Sequence, residues 1–256
     1  MTDEKTIIVE KENNAATISF ARPKHNVFNI DMMTLFCEEL EILLQDDDLK
    51  CVLLKGQGAS WCAGVDVGDH KPEMAEHMIN TFNRSLLLIE SFKIPTIAAV
   101  QGACLGGGME YAIACDVVLA SEKAKFGQPE VKLGFLPPYA AIRLPKLVGP
   151  AKSIEICCSG KIYTAAQGLS MGFVSQCIPA DQFDSAVDAF VAEIQASSAL
   201  ILRLNKQAVN QHLSMQTADA IESVSNLFLK TLMKTEDTLE GIASFYEKRK
   251  PEWKNK

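Results

Sequence analysis

The chain has 256 residues, of which 48% are hydrophobic and 22% are charged, and its formal net charge is −7. This length and composition are typical of a soluble globular protein with a sizeable core, built as one large domain or as one domain plus an appendage. The negative net charge argues against a nucleic-acid surface, because phosphate binding requires clustered positive charge.

The cysteines and the N-terminal segment indicate a reducing compartment. None of the eight cysteines has CxxC or Cys/His ligand spacing, and most of them lie in apolar segments. We therefore expect buried free thiols and no metal site. The opening MTDEKTIIVEKENN is polar and acidic, without the apolar core of a signal peptide, and no apolar run approaches the ~20 residues of a membrane span. These features predict a cytoplasmic protein with no membrane segment.

Short apolar strands alternate with amphipathic helices over the first two thirds of the chain. Sequence patterns predict two strands within 6–20 around an Asn-Asn turn, then a helix at 32–48, a strand at 51–57, a helix at 73–92, strands at 96–100 and 116–121, and a helix at 151–160. From about residue 184, strand patterns stop and amphipathic helices run to the end. Alternation of this kind predicts an α/β fold, although the strands are too short for a simple doubly wound sheet.

The stretch from Val100 to Gly149 carries the strongest indication of chemistry. The strand at 96–100 is followed by the triple glycine 106–108, by Glu110 in an apolar helical segment, and by Glu130 in FGQPEVKLG. A helix that starts at these glycines aims free N–H groups at a ligand oxygen. Amide donors beside two carboxylates suit a reaction that builds an oxyanion while protons move. The alternative is a tight turn without a ligand and two exposed glutamates.

Other catalytic and binding motifs do not match. GACLGGG does not fit G-x-G-x-x-G, and no Lys-Ser/Thr follows the glycines, so neither a dinucleotide fingerprint nor a P-loop is present. GASWC lacks the G-x-S-x-G nucleophile elbow, and no histidine has an evident triad partner.

The ordered set RPKHNVFN, GASWCAGVD, GACLGGGMEYAIACD, FGQPEVKLG and EGIASFYEKRKPEW resembles the enoyl-CoA hydratase/isomerase family, the crotonase superfamily, over nearly the whole chain. The resemblance implies a spiral of β-β-α units, with residues 1–195 as the catalytic core and 196–256 as a helical region for oligomerisation. It also implies an acyl-CoA substrate, no separate cofactor and a homotrimer or homohexamer. In such an enzyme, enoyl-CoA hydration adds water across a double bond conjugated to a thioester.

The resemblance also implies roles for particular residues. The backbone amides of Val65 and Gly107 would form the oxyanion hole. Glu110 would position the attacking water and accept its proton, and Glu130 would deliver a proton to C2. Residues expected to contact the substrate or its CoA part are Lys24, His25, Ala63, Asp66, Gly106 and Tyr139, with Asp66 also holding its loop through backbone N–H groups. The basic residues 248–250 fit either CoA phosphate binding or a solvated charge cluster.

One segment departs from the family pattern. Many members have a glycine-rich run like P-G-A-G-G-T-Q-R-L after PEVKLG, where this chain has FLPPYAAIRLPKLVG. The change predicts a bulkier apolar wall that includes Tyr139, and it resembles the subgroup of hydratases acting on cyclohexa-1,5-diene-1-carbonyl-CoA in anaerobic aromatic degradation. Alternatives are a short-chain enoyl-CoA hydratase or Δ-isomerase of β-oxidation, and a non-catalytic CoA-ester-binding or scaffold protein.

Overall fold

The strands form two sheets within residues 5–256, the part of the chain that the computed structural model describes. The larger sheet has the order β1-β2-β3-β5-β7-β10. These strands are β1 (Ile7–Glu12), β2 (Ala15–Phe20), β3 (Cys51–Gly56), β5 (Thr96–Val100), β7 (Val117–Ser121) and β10 (Gln176–Ile178). β1 and β2 form the predicted hairpin, with Asn13 and Asn14 at positive φ in the turn, and the other neighbours are parallel.

A smaller sheet has the order β4-β6-β8-β9. Its strands, each of three residues, are β4 (Ser60–Cys62), β6 (Ala103–Leu105), β8 (Lys125–Gly127) and β9 (Ile162–Thr164). β4, β6 and β8 are parallel, and β9 is antiparallel to β8. Sequence patterns predicted none of these four strands, because three residues are too few to show a strand periodicity.

Ten α-helices accompany the strands in the described part of the chain. They are α1 (Ile30–Leu44), α2 (Pro72–Ser91), α3 (Gly107–Ala114), α4 (Ala140–Val148), α5 (Pro150–Ser159), α6 (Ala165–Met171), α7 (Phe183–Gln195), α8 (Ala199–Asn210), α9 (Thr217–Lys230) and α10 (Glu236–Glu247). Three consecutive strand pairs, β3–β4, β5–β6 and β7–β8, each contribute one strand to the large sheet and the next to the small one. The chain therefore winds as the predicted spiral of β-β-α units.

An aromatic cluster fills the space between the sheets and the first three helices. The rings of Phe20, Phe28, Phe36 and Tyr111 pack at centroid distances of 4.9–5.7 Å and are fully buried. The Tyr111 hydroxyl lies 2.7 Å from the Ser85 hydroxyl, so its polar end is satisfied. Burying each such side chain stabilises the fold by roughly 1.5–3 kcal/mol, which fixes α3 firmly against the sheets.

The C-terminal helices are only loosely joined to this core. α7 covers the outer face of the large sheet through Phe183 and Val187, and the predicted boundary at 195/196 falls between α7 and α8. Within the predicted region of amphipathic helices, a 3-10 turn at Leu232–Lys234 separates α9 from α10. No residue of α9 is buried.

Within residues 5–256, no single helix is both long enough and apolar enough to cross a membrane. Length and apolar composition reach the level of a span only when α7 and α8 are taken together, and that pair is bent by 100°.

Candidate active site

Three loops meet where the parallel strands of the small sheet end. Val65 follows β4, Gly107 follows β6 and Glu130 follows β8. Because the carboxyl ends of parallel strands lie at one edge of a sheet, residues far apart in sequence come together here. The three residues line one cavity of about 600 Å³.

Two backbone amides at this edge are free to bind a ligand. Phe28 N donates to Gly64 O and Asp66 N donates to Phe28 O, so the neighbours of Val65 are paired while, among the described residues, its own N–H meets no acceptor. Gly107 is the first residue of α3, and its N–H has no partner within residues 5–256 either. Both residues line the cavity, as the predicted oxyanion hole requires.

Two of the glycines are required by close approaches. Gly106 has φ +54°, and a Cβ there would lie 2.8 Å from Glu130 Oε1. A Cβ on Gly108 would lie 2.3 Å from the Cys62 carbonyl oxygen. Only glycine lets β6 turn into α3 so close to β4 and to the second carboxylate.

Glu110 lies on α3 and is almost completely buried, with 2% of its surface exposed. Its Oε1 accepts hydrogen bonds from Tyr139 N at 2.7 Å and Ala140 N at 2.8 Å. Burial raises the pKa of Glu110 to about 8, the two amide bonds oppose the rise, and the charge of Glu130 adds to it. The carboxyl group can therefore exchange a proton near neutral pH.

Glu130 lies on the 3-10 turn Pro129–Leu133 and is half-buried. Burial raises the pKa of Glu130 to about 7. Gln128 is fully buried, and with its amide nitrogen turned toward Glu130 it donates to both carboxylate oxygens, at 3.0 and 3.1 Å. The site thus holds two carboxyl groups that both titrate close to physiological pH, a feature common in acid–base catalysis.

The rest of the cavity wall is largely apolar. It is formed by Val67, Ala75, Met78, Ile79, Phe82, Leu133, Phe135, Leu136 and Pro138, with His70 and Glu76 as further polar residues. The His70 ring packs on Phe135 with centroids 4.9 Å apart, and its Nδ1 lies 2.9 Å from Asp66 O. Such a wall suits an acyl group.

The residues predicted to contact substrate are only partly brought together. Ala63 and Gly106 line the cavity beside Val65 and Gly107, whereas Lys24, His25, Asp66 and Tyr139 do not. His25 is exposed and its Nδ1 lies 2.9 Å from Ser60 Oγ. Asp66 accepts from Gly68 N at 2.9 Å and so holds its loop, as expected.

Tyr139 differs most from the prediction. Its side chain is 7% exposed and turns away from the cavity, where its hydroxyl donates to Glu90 Oε1 at 2.6 Å. Only its backbone N–H reaches the site, through Glu110. Within the segment predicted to form a bulkier wall, Phe135, Leu136 and Pro138 line the cavity and Tyr139 does not, because Tyr139 stands at the start of α4 and packs toward Glu90.

Gln128 and Phe82 were not predicted from the sequence as residues of the site. Gln128 stands in the quoted motif FGQPEVKLG, so its position beside Glu130 was a usable signal. Phe82 carried no signal, since an apolar residue on a helix fits any core, whereas Phe135 begins the segment predicted to form an apolar wall. Among the described residues, no group of three or more His, Cys, Asp or Glu side chains is arranged to hold a metal ion.

A spiral of β-β-α units with two free amides, one buried carboxyl group and one half-buried carboxyl group in one apolar cavity defines a class of enzyme that stabilises an oxyanion while moving protons. The sequence profile of the enoyl-CoA hydratase/isomerase family matches residues 10–256. The chain belongs to the enoyl-CoA hydratase/isomerase family, which confirms the resemblance and the predicted fold class.

Named relatives agree with this assignment over almost the whole chain. A probable enoyl-CoA hydratase of Mycobacterium bovis is 33% identical, covering 97% of this chain and 98% of the relative. A cyclohexa-1,5-dienecarbonyl-CoA hydratase of Thauera aromatica is 31% identical, covering 97% and 96%. The crystal structure of an enoyl-CoA hydratase from Bacillus anthracis superposes with a TM-score of 0.92 at 25% identity, covering 98% of this chain and 100% of that one.

Proposed function

We propose that the protein is a lyase that adds water across the C=C bond of an enoyl-CoA thioester. The observation that carries this proposal is the meeting of two free amides with the carboxyl groups of the buried Glu110 and the half-buried Glu130 in one largely apolar cavity. Family membership and relatives named as hydratases support it. The reaction needs no cofactor beyond the CoA that is part of the substrate.

The barrier to hydration lies in placing negative charge on the thioester oxygen while water attacks C3. In this proposal the amides of Val65 and Gly107 donate to that oxygen, and the positive end of α3 adds to the stabilisation. Loss of one such donor typically costs ~3 kcal/mol of transition-state stabilisation. Because the rest of the cavity wall is largely apolar, the attacking water molecule binds beside the two carboxyl groups.

The two carboxyl groups divide the proton transfers. In the division expected from the sequence, Glu110 takes the proton of water and Glu130 protonates C2. Burial raises the pKa values of both groups, so the reverse division, in which Glu130 takes the proton of water and Glu110 protonates C2, is the alternative.

An exchange experiment separates the two divisions. With a saturated acyl-CoA in D₂O, exchange of the C2 proton needs only the oxyanion hole and the group that serves C2. If Glu130 serves C2, Glu110→Gln retains exchange and Glu130→Gln loses it; the second division predicts the reverse. Proton NMR of the C2 signal gives the result, and equal loss in both variants would contradict either single assignment.

Hydration itself is tested with the same variants. Crotonyl-CoA and cyclohexa-1,5-diene-1-carbonyl-CoA are followed by loss of the enoyl-thioester absorbance. Glu110→Gln and Glu130→Gln should each lower turnover by ~10²–10⁴-fold, while the exposed Glu38→Gln should not. Near wild-type turnover in either active-site variant would contradict the role assigned to that residue. If the wild type turned over neither substrate, a binding or scaffold protein would be favoured.

The acyl group is proposed to be the cyclic diene. An apolar wall that includes the rings of Phe82 and Phe135 suits a cyclic acyl group, and one relative, at 31% identity, is named as a hydratase of this substrate. Discrimination should be graded, since a methylene-sized difference in such a pocket is worth only ~1–3 kcal/mol. If kcat/KM for crotonyl-CoA equals or exceeds that for the cyclic diene, the protein is a short-chain enoyl-CoA hydratase. Migration of the double bond without hydration would indicate a Δ-isomerase.

Assembly into trimers or hexamers is part of the proposal. The C-terminal helices expose large apolar side chains, including Ile221, Phe228, Leu239, Phe245 and Tyr246. A helical stripe of this kind is stable only when another surface covers it. Lys24 and residues 248–250 remain proposed contacts for CoA phosphates, although Arg249 is paired with Glu240 and Glu247.

A further inference from the structure

The carboxylate of Glu110 is held by the N-terminal end of α4. Tyr139 stands immediately before this nine-residue helix and Ala140 is its first residue, and both backbone N–H groups donate to Glu110 Oε1. These amides have no partner inside the helix, and the helix dipole favours a negative charge at this end. The orientation of Glu110 therefore depends on where α4 begins.

The start of α4 is itself fixed by the Tyr139 side chain. The ring is buried and its hydroxyl donates to Glu90 Oε1 on α2 at 2.6 Å. Residues 140–142 of the first turn are Ala, Ala and Ile, so Tyr139 is the polar anchor there. One turn later, Arg143 Nε donates to the Ile113 carbonyl oxygen at 2.9 Å and ties α4 to the end of α3.

We propose that Tyr139 is a positioning residue for the hydration reaction: through Glu90 it fixes the two amides that orient the Glu110 carboxylate and favour its ionised form. This inference rests on the proposed function for its catalytic consequence. It gives Tyr139 a role in the charge of the site, whereas Phe135, Leu136 and Pro138 of the same segment line the acyl pocket.

The direction of the effect follows from the groups around Glu110. Its two amide bonds lower its pKa against the larger effect of burial, so loosening the start of α4 raises that pKa further. The other titratable or charged groups that act on Glu110 or on Tyr139 are Glu130, Tyr111, Cys157, Glu90, Arg143 and Cys115. Apart from Glu90, none of these is altered by the substitutions below.

The test compares Tyr139→Phe, Glu90→Ala, Glu90→Gln and the double variant Tyr139→Phe/Glu90→Ala. With Glu110 as the group that takes the proton of water, we expect Tyr139→Phe to move the acid limb of the kcat/KM profile upward by ~0.5–1 pH unit, with activity largely recovered at high pH. Glu90→Ala should do the same, and the double variant should do no more than either single one. Glu90→Gln retains an acceptor oxygen and should move the limb less.

Tyr163→Phe is the matched control. Tyr163 is also buried, and its hydroxyl donates to Glu155 Oε1 at 3.2 Å, outside the candidate site. Removing this hydroxyl removes the same kind of bond without touching α4. If Tyr163→Phe also moved the acid limb of the kcat/KM profile, the profile would report general loosening of the fold, and the inference would be overturned.

A second readout does not depend on turnover. The carboxyl band of Glu110, identified by its loss in Glu110→Gln, is titrated by infrared difference spectroscopy in the wild type and in Tyr139→Phe. An upward shift in Tyr139→Phe supports the inference even if the wild type hydrates neither substrate, which would refute the proposed function alone. An unmoved titration, or additive effects in the double variant, would overturn it. Should Tyr139→Phe fail to fold, the exposed Glu90 variants decide the question by the same two measurements.

Discussion

The cost of burying Glu110 predicts how stability depends on pH. The pKa of this group rises from 4.5 in the unfolded chain to about 8 in the folded one, chiefly through burial. Between these values the folded protein binds more protons than the unfolded chain. Stability is therefore fully present below about pH 4.5 and is lost as the pH rises through about 8. At about 1.4 kcal/mol per pH unit, the full loss is on the order of 5 kcal/mol.

Glu110→Gln isolates this contribution. Glutamine keeps the carbonyl oxygen that accepts from Tyr139 N and Ala140 N, but it cannot ionise. Relative to the wild type, the variant should gain at least ~2 kcal/mol of unfolding free energy between about pH 5 and about pH 9, although its activity is lost. The measured quantity is the difference in unfolding free energy between the two proteins, because every other titrating group is present in both.

Urea unfolding, followed by tryptophan fluorescence at fixed protein concentration, measures this difference. Trp61 is fully buried against Phe20 and reports loss of the core. Glu38→Gln, an exposed substitution, should follow the wild type at every pH. If the difference between Glu110→Gln and the wild type is constant across this range, Glu110 is not ionising at a buried site and the acid–base argument fails.

Three further predictions concern other parts of the molecule. Gly106→Ala should abolish hydration, because its Cβ would lie 2.8 Å from Glu130 Oε1 at a φ of +54°; activity assays beside circular dichroism would separate this from unfolding. Lys206→Met should lower the unfolding free energy by about 1–3 kcal/mol, since it leaves Asp116 without the charge that joins α8 to the sheet, and thermal denaturation measures it. Phe245→Asp should shift light scattering from a trimer or hexamer toward smaller species, whereas a monomeric wild type at micromolar concentration would contradict the proposed assembly.

Local sequence patterns predicted much of the fold. The hairpin turn at Asn13 and Asn14, the strand at 96–100 and the long helix at 72–91 were visible because each has a clear period or a turn residue of its own. The small sheet was not visible, because strands of three residues depend on pairing with partners about 20 to 40 positions away. The position of the break between α9 and α10 has no local signal, since the apolar spacing continues through it.

For the candidate site, the sequence by itself determined which groups are available: a triple glycine at the start of a helix and two glutamates in apolar surroundings. These features are local in sequence, so they can be read without knowledge of the fold. Only the tertiary structure decided what each side chain contacts. Tyr139 turns to Glu90 rather than into the cavity, and Gln128 turns to Glu130, because the ends of β4, β6 and β8 and the start of α4 converge through strand pairing and helix packing. The direction of a side chain at such a junction is set by neighbours distant in sequence, and no local pattern encodes it.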